Sequence, residues 1–178
     1  MGSECNITAD LRGSVYCSDS NNYRVIKITP NNTYATVVAG VTNTNGSQLN
    51  LLSYPQGIFV DADYILYVLD AGNNRVVAFS PGNPYARLLF SSSINTYYSS
   101  FYNNYHSGDL TLDNSGNIYV AGIYNITRWA PSTSTATSIV SVSYWSAPRL
   151  RLDSKGNLYI GAYFAAGIDK RNISTNIC

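Results

Sequence analysis

The chain is poor in charge. Asp, Glu, Lys and Arg together make up 12% of its 178 residues, about half the usual share of a soluble domain, near 25%. Long solvated helices depend on charged faces, so helical bundles and coiled coils are excluded as the main architecture. Lys and Arg number 11 against 10 Asp and Glu, a formal net charge of +1. That leaves no broad attraction to a phosphate backbone or an anionic membrane surface. Histidine occurs once, at His106, so a three-histidine zinc centre is arithmetically impossible. No run of 18 apolar residues exists, which excludes a spanning helix. The opening stretch MGSECNITAD has neither the basic region nor the apolar core of a signal peptide, and Asn6 stands where a myristoylation signal needs Ser or Thr. The three cysteines, Cys5, Cys17 and Cys178, match no metal-binding spacing.

What is present points elsewhere. Apolar residues reach 45%, enough for a core and too many for a chain disordered by its charge. Tyrosine is high at 16 and glycine stands at 13, amid abundant Ser, Thr and Asn. This is the composition of an all-β, turn-rich chain.

The sequence also repeats itself. Four stretches run as an apolar alternation ending in Asp, with a Tyr six residues later: Asp10 and Tyr16, Asp61 and Tyr67, Asp113 and Tyr119, Asp153 and Tyr159. Cys17, Val68, Val120 and Ile160 follow the tyrosines. Two copies carry Gly116-Asn117 and Gly156-Asn157 between the landmarks, the chemistry of a hairpin turn between two strands. A third strand follows, closed by proline at Pro30, Pro81 and Pro131, since proline cannot continue a central ladder. A fourth β-rich stretch comes next, at residues 33–39, 85–90 and 135–140, with a weaker one through Ile173. Four strands in a unit of about 40–45 residues describe a propeller blade. The expected fold is an all-β propeller of four four-stranded blades in a single domain over 1–178. The blades fall at approximately 5–40, 55–90, 107–141 and 147–178. Four units are compatible with a compact ring, with part of a larger ring, or with blades completed by association.

The second copy is the most regular. Tyr54-Pro-Gln-Gly-Ile-Phe-Val-Asp61, Ile65-Leu-Tyr-Val-Leu-Asp70 and Asn73-Asn-Arg-Val-Val-Ala-Phe79 resemble the NHL repeat family of β-propellers, whose pattern is Pro-x-Gly-apolar, Asp, Tyr-Val-x-Asp, Asn-x-Arg-apolar. The resemblance covers nearly the whole chain, and it implies a propeller more firmly than any one activity. Similar propellers include metal-dependent gluconolactonases and the peptide amidating lyase, and some NHL propellers bind RNA through a strongly basic face.

The residues argue against those activities here. Asp10, Asp61, Asp113 and Asp153 recur at one place in every blade, as expected of a side chain that accepts backbone N–H groups in the turn after the first strand. Asp19 with Arg24 and Asp70 with Arg75 recur likewise, and are expected to tie the second-to-third strand turn. No nucleophile elbow of the G-x-S-x-G kind occurs. Only three lysines are present and the arginines are scattered, so the phosphate attraction needed for RNA is missing. Trp129 occupies the position of Phe79 and is expected in the core.

The repeat-breaking feature is aromatic. Residues 91–107, between the second and third units, hold Tyr97, Tyr98, Phe101, Tyr102, Tyr105 and His106. Tyrosine offers contact area with a polar tip at little entropic cost. These six residues are the expected ligand-binding cluster, on the loop face that also carries residues 40–55. The resulting reading is a non-catalytic interaction scaffold for a protein or glycan ligand. It calls for no metal or cofactor, no nucleic acid and no membrane insertion. The alternative is a degenerate calcium-dependent propeller hydrolase or lyase. Five N-x-S/T sequons, at Asn6, Asn31, Asn45, Asn125 and Asn172, are either glycosylation acceptors of an extracellular chain or chance products of its composition. A closed ring would set its first and last blades side by side. On that basis the expected disulfide joins Cys5 to Cys178, with Cys17 a buried free thiol after Tyr16.

Overall fold

The computed structural model describes residues 5–91, 108–122, 125–131, 133, 135–141, 149–162 and 167–173. The chain divides into two compact units, Met1–Ser92 and Ser93–Cys178. Among the described residues the only helical segments are two single 3-10 turns, Ser20–Asn22 and Ala71–Asn73.

The first unit holds two four-stranded antiparallel sheets. One runs β1 (Cys5–Ala9), β2 (Val15–Asp19), β3 (Arg24–Ile28) and β4 (Thr36–Gly40). The other runs β5 (Pro55–Val60), β6 (Leu66–Asp70), β7 (Arg75–Phe79) and β8 (Arg87–Ser91). In both, sequence neighbours are sheet neighbours, so each sheet is a meander, the strand order of a propeller blade. The second unit holds β9 (Asp109–Leu112), β10 (Ile118–Ala121), β11 (Asn125–Trp129) and β12 (Thr137–Ser141) in one sheet. Its other sheet is β13 (Arg149–Leu152), β14 (Asn157–Ala162) and β15 (Gly167–Asn172). The stretch through Ile173, expected as a fourth strand, thus contributes β15, the third. It lacks the closing proline that marks the third strand in the other units, and this hid its place in the order.

The first hairpin of each sheet turns through the left-handed region three residues after its Asp. Gly13, Gly116 and Gly156 supply that conformation, with φ of 79°, 77° and 76°. The second sheet puts Tyr64 there, at φ 63°, where a Cβ costs about 1–2 kcal/mol.

Within each unit the first sheet packs one face on the next. Tyr16, Val25 and Ala39 share a buried cluster with Ile58, Leu66, Val68 and Phe79. In the second unit Tyr119, Ala121 and Ile126 share one with Leu150, Leu158 and Ile160. Each Val, Leu, Ile or Phe among them contributes roughly 1.5–3 kcal/mol when fully buried. Trp129 is buried as expected, and its indole N–H donates to Thr127 at 3.2 Å.

The disulfide differs from expectation. Cys5 pairs with Cys17, with Cα atoms 5.6 Å apart, and Cys178 lies outside the described residues. The reason is local. The β1–β2 register sets Cys17 opposite Ile7, so Cys5, two residues along the same face, is its diagonal cross-strand neighbour. Cys17 is accordingly neither free nor fully buried.

Candidate functional site

The four repeated aspartates are turn residues. Asp10 Oδ1 accepts the N–H groups of Arg12 and Ser14, both at 2.9 Å. Asp61 does the same for Asp63 and Ile65, Asp113 for Ser115 and Asn117, and Asp153 for Lys155 and Asn157. The second oxygen takes the hydroxyl of the tyrosine six residues on, at 3.0–3.1 Å in every sheet. The sequence showed this spacing but not its cause: Tyr16, Tyr67, Tyr119 and Tyr159 lock their own hairpins. Burial and the facing carboxylates push the Tyr67 and Tyr119 hydroxyls up to about 12. Burial would raise the Asp10 carboxyl, but bonds from Ser14, Lys27 and Tyr16 outweigh it and hold it at about 2. Among the described residues no three of His, Cys, Asp and Glu gather where an ion could sit.

The opposite end of the first unit's sheets is tied more tightly. Asp19 and Arg24 pair at 2.8 Å, as do Asp70 and Arg75 at 2.6 Å. The second pair reaches further than a turn. Asp70, fully buried, also accepts the Ser53 N–H at 2.6 Å and the Asn73 amide at 2.7 Å. Arg75 donates to the carbonyls of Ser47, Gln48 and Leu51 at 2.6–3.0 Å. One ion pair thereby fastens the connection between the two sheets. Ser20 donates to the Pro55 carbonyl and the Asn43 N–H to that of Asn22, anchoring the same segment from the first sheet.

On this scaffold stand Tyr23 and Tyr54. Their rings meet edge to face, with centroids 5.1 Å apart and an interplanar angle of 83°. The Tyr23 hydroxyl donates to that of Tyr54 at 3.3 Å, and this bond raises its pKa. Both residues are half-buried, and both hold left-handed backbone, φ 56° and 47°. Asn43 and Asn74, at φ 58° and 49°, adopt it at the same end of the sheets. Tyr23 and Asn74 hold equivalent positions in the repeat, each ending its single 3-10 turn in the left-handed conformation. Tyr23 and Tyr54 lay unmarked in the sequence, since nothing there signals positive φ at a tyrosine.

A concavity of about 390 Å³ opens by the Asp hairpins of the first unit. The Arg12 guanidinium lies 4.2 Å from the centre of the Tyr64 ring, and the Lys27 ammonium 4.8 Å from that of Tyr16. Lys27 is held by Asp10 at 3.3 Å.

In the second unit Asp109 departs from the repeat. It is buried, accepts the Leu110 and Leu150 N–H groups at 2.9 and 3.0 Å, and meets Arg151 at 3.2 Å. Burial pushes its carboxyl up. It joins the first strands of two neighbouring sheets.

The expected cluster of Tyr97, Tyr98, Phe101, Tyr102, Tyr105 and His106 lies outside the described residues. Of the sequon asparagines, Asn31, Asn45 and Asn172 are exposed, while Asn6 and Asn125 are half-buried within strands.

No protein-family model matches the chain, and no curated protein matches it. Solved structures do. A nidogen/laminin complex aligns with a TM-score of 0.65 at 16% identity, over 90% of this chain and 56% of that one. The fold is that of a β-propeller. A streptogramin B lyase aligns at 0.62 and 16% identity, over 96% of this chain and 55% of the other. A gluconolactonase from Xanthomonas campestris aligns at 0.63 and 12% identity, over 90% and 54%. This propeller chain therefore spans a little over half the length of the solved propellers it matches. Binding proteins and enzymes both share its architecture.

Proposed function

We propose that this chain is a non-catalytic interaction module of NHL type that binds a protein or glycan ligand through the loop end of its blades. The observation that carries the reading is the Tyr23–Tyr54 pair, held on left-handed backbone by the Asp19–Arg24 and Asp70–Arg75 ties. Rigid aromatic side chains lose little entropy on contact and present both an apolar edge and a hydroxyl. The nidogen/laminin neighbour supports protein binding by this architecture. The four repeated aspartates, engaged in turns and tyrosine bonds, support a scaffold more than a metal-dependent enzyme. Exposed Asn31 and Asn45 suit glycosylation of an extracellular chain.

The test is a screen of the chain against a glycan array and a panel of purified extracellular proteins, followed by Tyr23→Ser and Tyr54→Ser variants. Hot-spot aromatics carry 2 kcal/mol or more, so each variant should weaken the ligand found by about tenfold or more with its circular dichroism unchanged. A ligand indifferent to both substitutions overturns the site. A calcium titration guards the enzymatic alternative: saturation of a specific ion site at 100 Kd would add about 2.7 kcal/mol of stability, and such a shift would favour a metal-dependent activity.

A further inference from the structure

The concavity beside the Asp hairpins is lined entirely by residues of the first unit, from the first sheet and the second. Its volume of about 390 Å³ is in the range of small-molecule sites. It lies at the opposite end of these sheets from Tyr23 and Tyr54. Val38 from β4, Leu66 from β6 and Phe79 from β7 give it apolar walls. Two cations line it as well, and they differ in what answers them. The Lys27 ammonium lies 3.3 Å from Asp10, whose side chain is fully buried and also takes the Tyr16 hydroxyl. Arg12 is exposed, and among the described residues no carboxylate meets its guanidinium. Asp10 accepts only the Arg12 backbone N–H. Asp63, the neighbour of Tyr64, is exposed and does not line the concavity.

The partner of Arg12 is the residue that breaks the repeat. Three first hairpins place Gly13, Gly116 and Gly156 at the left-handed position, whereas the second places Tyr64 there, at φ 63°. A side chain is disfavoured in that conformation, and the turn itself has no need of one. The Tyr64 ring receives the Arg12 guanidinium 4.2 Å from its centre. Strain that the hairpin does not require is thus held exactly where a cation without a carboxylate lines a cavity.

We propose that this concavity binds a small carboxylate that carries an apolar group, with the carboxylate on the Arg12 guanidinium and the apolar group against Val38, Leu66 and Phe79. A guanidinium presents its N–H groups as a fork that fits both oxygens of a carboxylate. Stacking on Tyr64 restricts that fork before the ligand arrives, so less freedom is lost on binding. The Lys27–Asp10 pair is neutral as a unit and adds no second attracting charge, which favours a ligand with one carboxylate over a ligand with two. The site is independent of the ligand proposed above, which is bound at the other end of the sheets.

The experiment is a titration of the isotope-labelled full chain with sodium phenylpropionate, followed by amide chemical shifts, with phenylpropanol as the uncharged counterpart. The wild type should bind phenylpropionate saturably, with the largest shifts around Arg12, Tyr64 and Gly82. It should bind phenylpropanol about tenfold more weakly or worse, since a bond to a charged group is lost. Arg12→Gln should weaken the carboxylate by about tenfold or more and leave the alcohol unchanged. Tyr64→Gly should also weaken the carboxylate and keep its circular dichroism, because glycine takes this position in the three other hairpins. Arg87→Gln, which removes an exposed cation of the second sheet outside the concavity, should bind as the wild type does. Absence of saturable shifts overturns the proposal. Equal affinity for the alcohol overturns it by leaving an apolar slot with no anion site. Wild-type affinity in Arg12→Gln would put the anion elsewhere, and an equal loss in Arg87→Gln would reduce the effect to net charge; either overturns it. Wild-type affinity in Tyr64→Gly would make the stacked ring a tie between the two sheets and nothing more, and the proposed platform would fail.

Discussion

At the scale of single residues, backbone conformation and available space separate cleanly at two glycines. Gly40 and Gly82 have nearly the same left-handed φ, 76° and 74°. A Cβ at Gly40 would stand 2.3 Å from the Tyr23 carbonyl oxygen and 3.1 Å from the Arg24 Cα, both backbone atoms. A Cβ at Gly82 would meet nothing within 4 Å. Gly82→Ala should cost only the conformational penalty, about 1–2 kcal/mol. Gly40→Ala must also move the chain that carries Tyr23, and should cost about 3 kcal/mol or more. Urea midpoints of the two variants read the difference. Equal losses would mean that the close approach at Gly40 does not constrain Tyr23, and the rigid platform under the aromatic pair would lose its support.

At the scale of elements, the first hairpin carries the test. The Cys5–Cys17 bond closes a loop of 12 residues, worth roughly 3 kcal/mol in the chain-entropy model for a loop near this length. It ties β1 to β2. Reduction should lower the thermal midpoint, and Cys5→Ser should reproduce that loss with no further effect of reductant. Non-reducing peptide mapping should find Cys5 joined to Cys17; a Cys5–Cys178 peptide would overturn the pairing. The mistaken expectation is instructive. It drew on the closure of a whole ring, whereas the decisive fact was the two-strand register implied by Asp10 and Tyr16. The hairpins themselves were legible because Asp, Gly and Tyr each do a local job at fixed spacing. So were the Asp19–Arg24 and Asp70–Arg75 ties. The reach of Arg75 to the carbonyls of residues 47–51 was not, because backbone oxygens have no sequence signal. Tyr23 and Tyr54 were hidden for a like reason, since their φ is imposed by neighbours and not by their own type.

At the scale of the whole molecule, the same local devices set how stability depends on pH. Bonds in the hairpin turns hold Asp10 and Asp153 at about 2, against an ordinary 3.8. For Asp10 these bonds act against burial; for Asp153 the largest contribution is the Asn157 side chain. A carboxylate with a depressed folded pKa favours the fold above its unfolded pKa, and that contribution is lost as pH falls through the folded value. The hairpins should therefore make the protein acid-labile between about pH 4 and pH 2. Asp109 acts in the opposite sense. Burial raises its carboxyl, so protonation favours the folded state, and its contribution is lost as pH rises through the folded value. Acid lability thus resides in the hairpin turns and not in the buried Asp109 link between sheets. Urea midpoints recorded from pH 7 to pH 2 should fall below about pH 4 in the wild type. They should fall less steeply in Asp10→Asn and Asp153→Asn, which begin less stable because Asn cannot accept at both positions. Asp109→Asn should be less stable across the range, since its amide would face a backbone N–H, yet keep the wild-type acid slope. If the slope instead flattens in Asp109→Asn and persists in the two turn variants, the blades are governed by their buried carboxylate, and the turn aspartates are bystanders to acid unfolding.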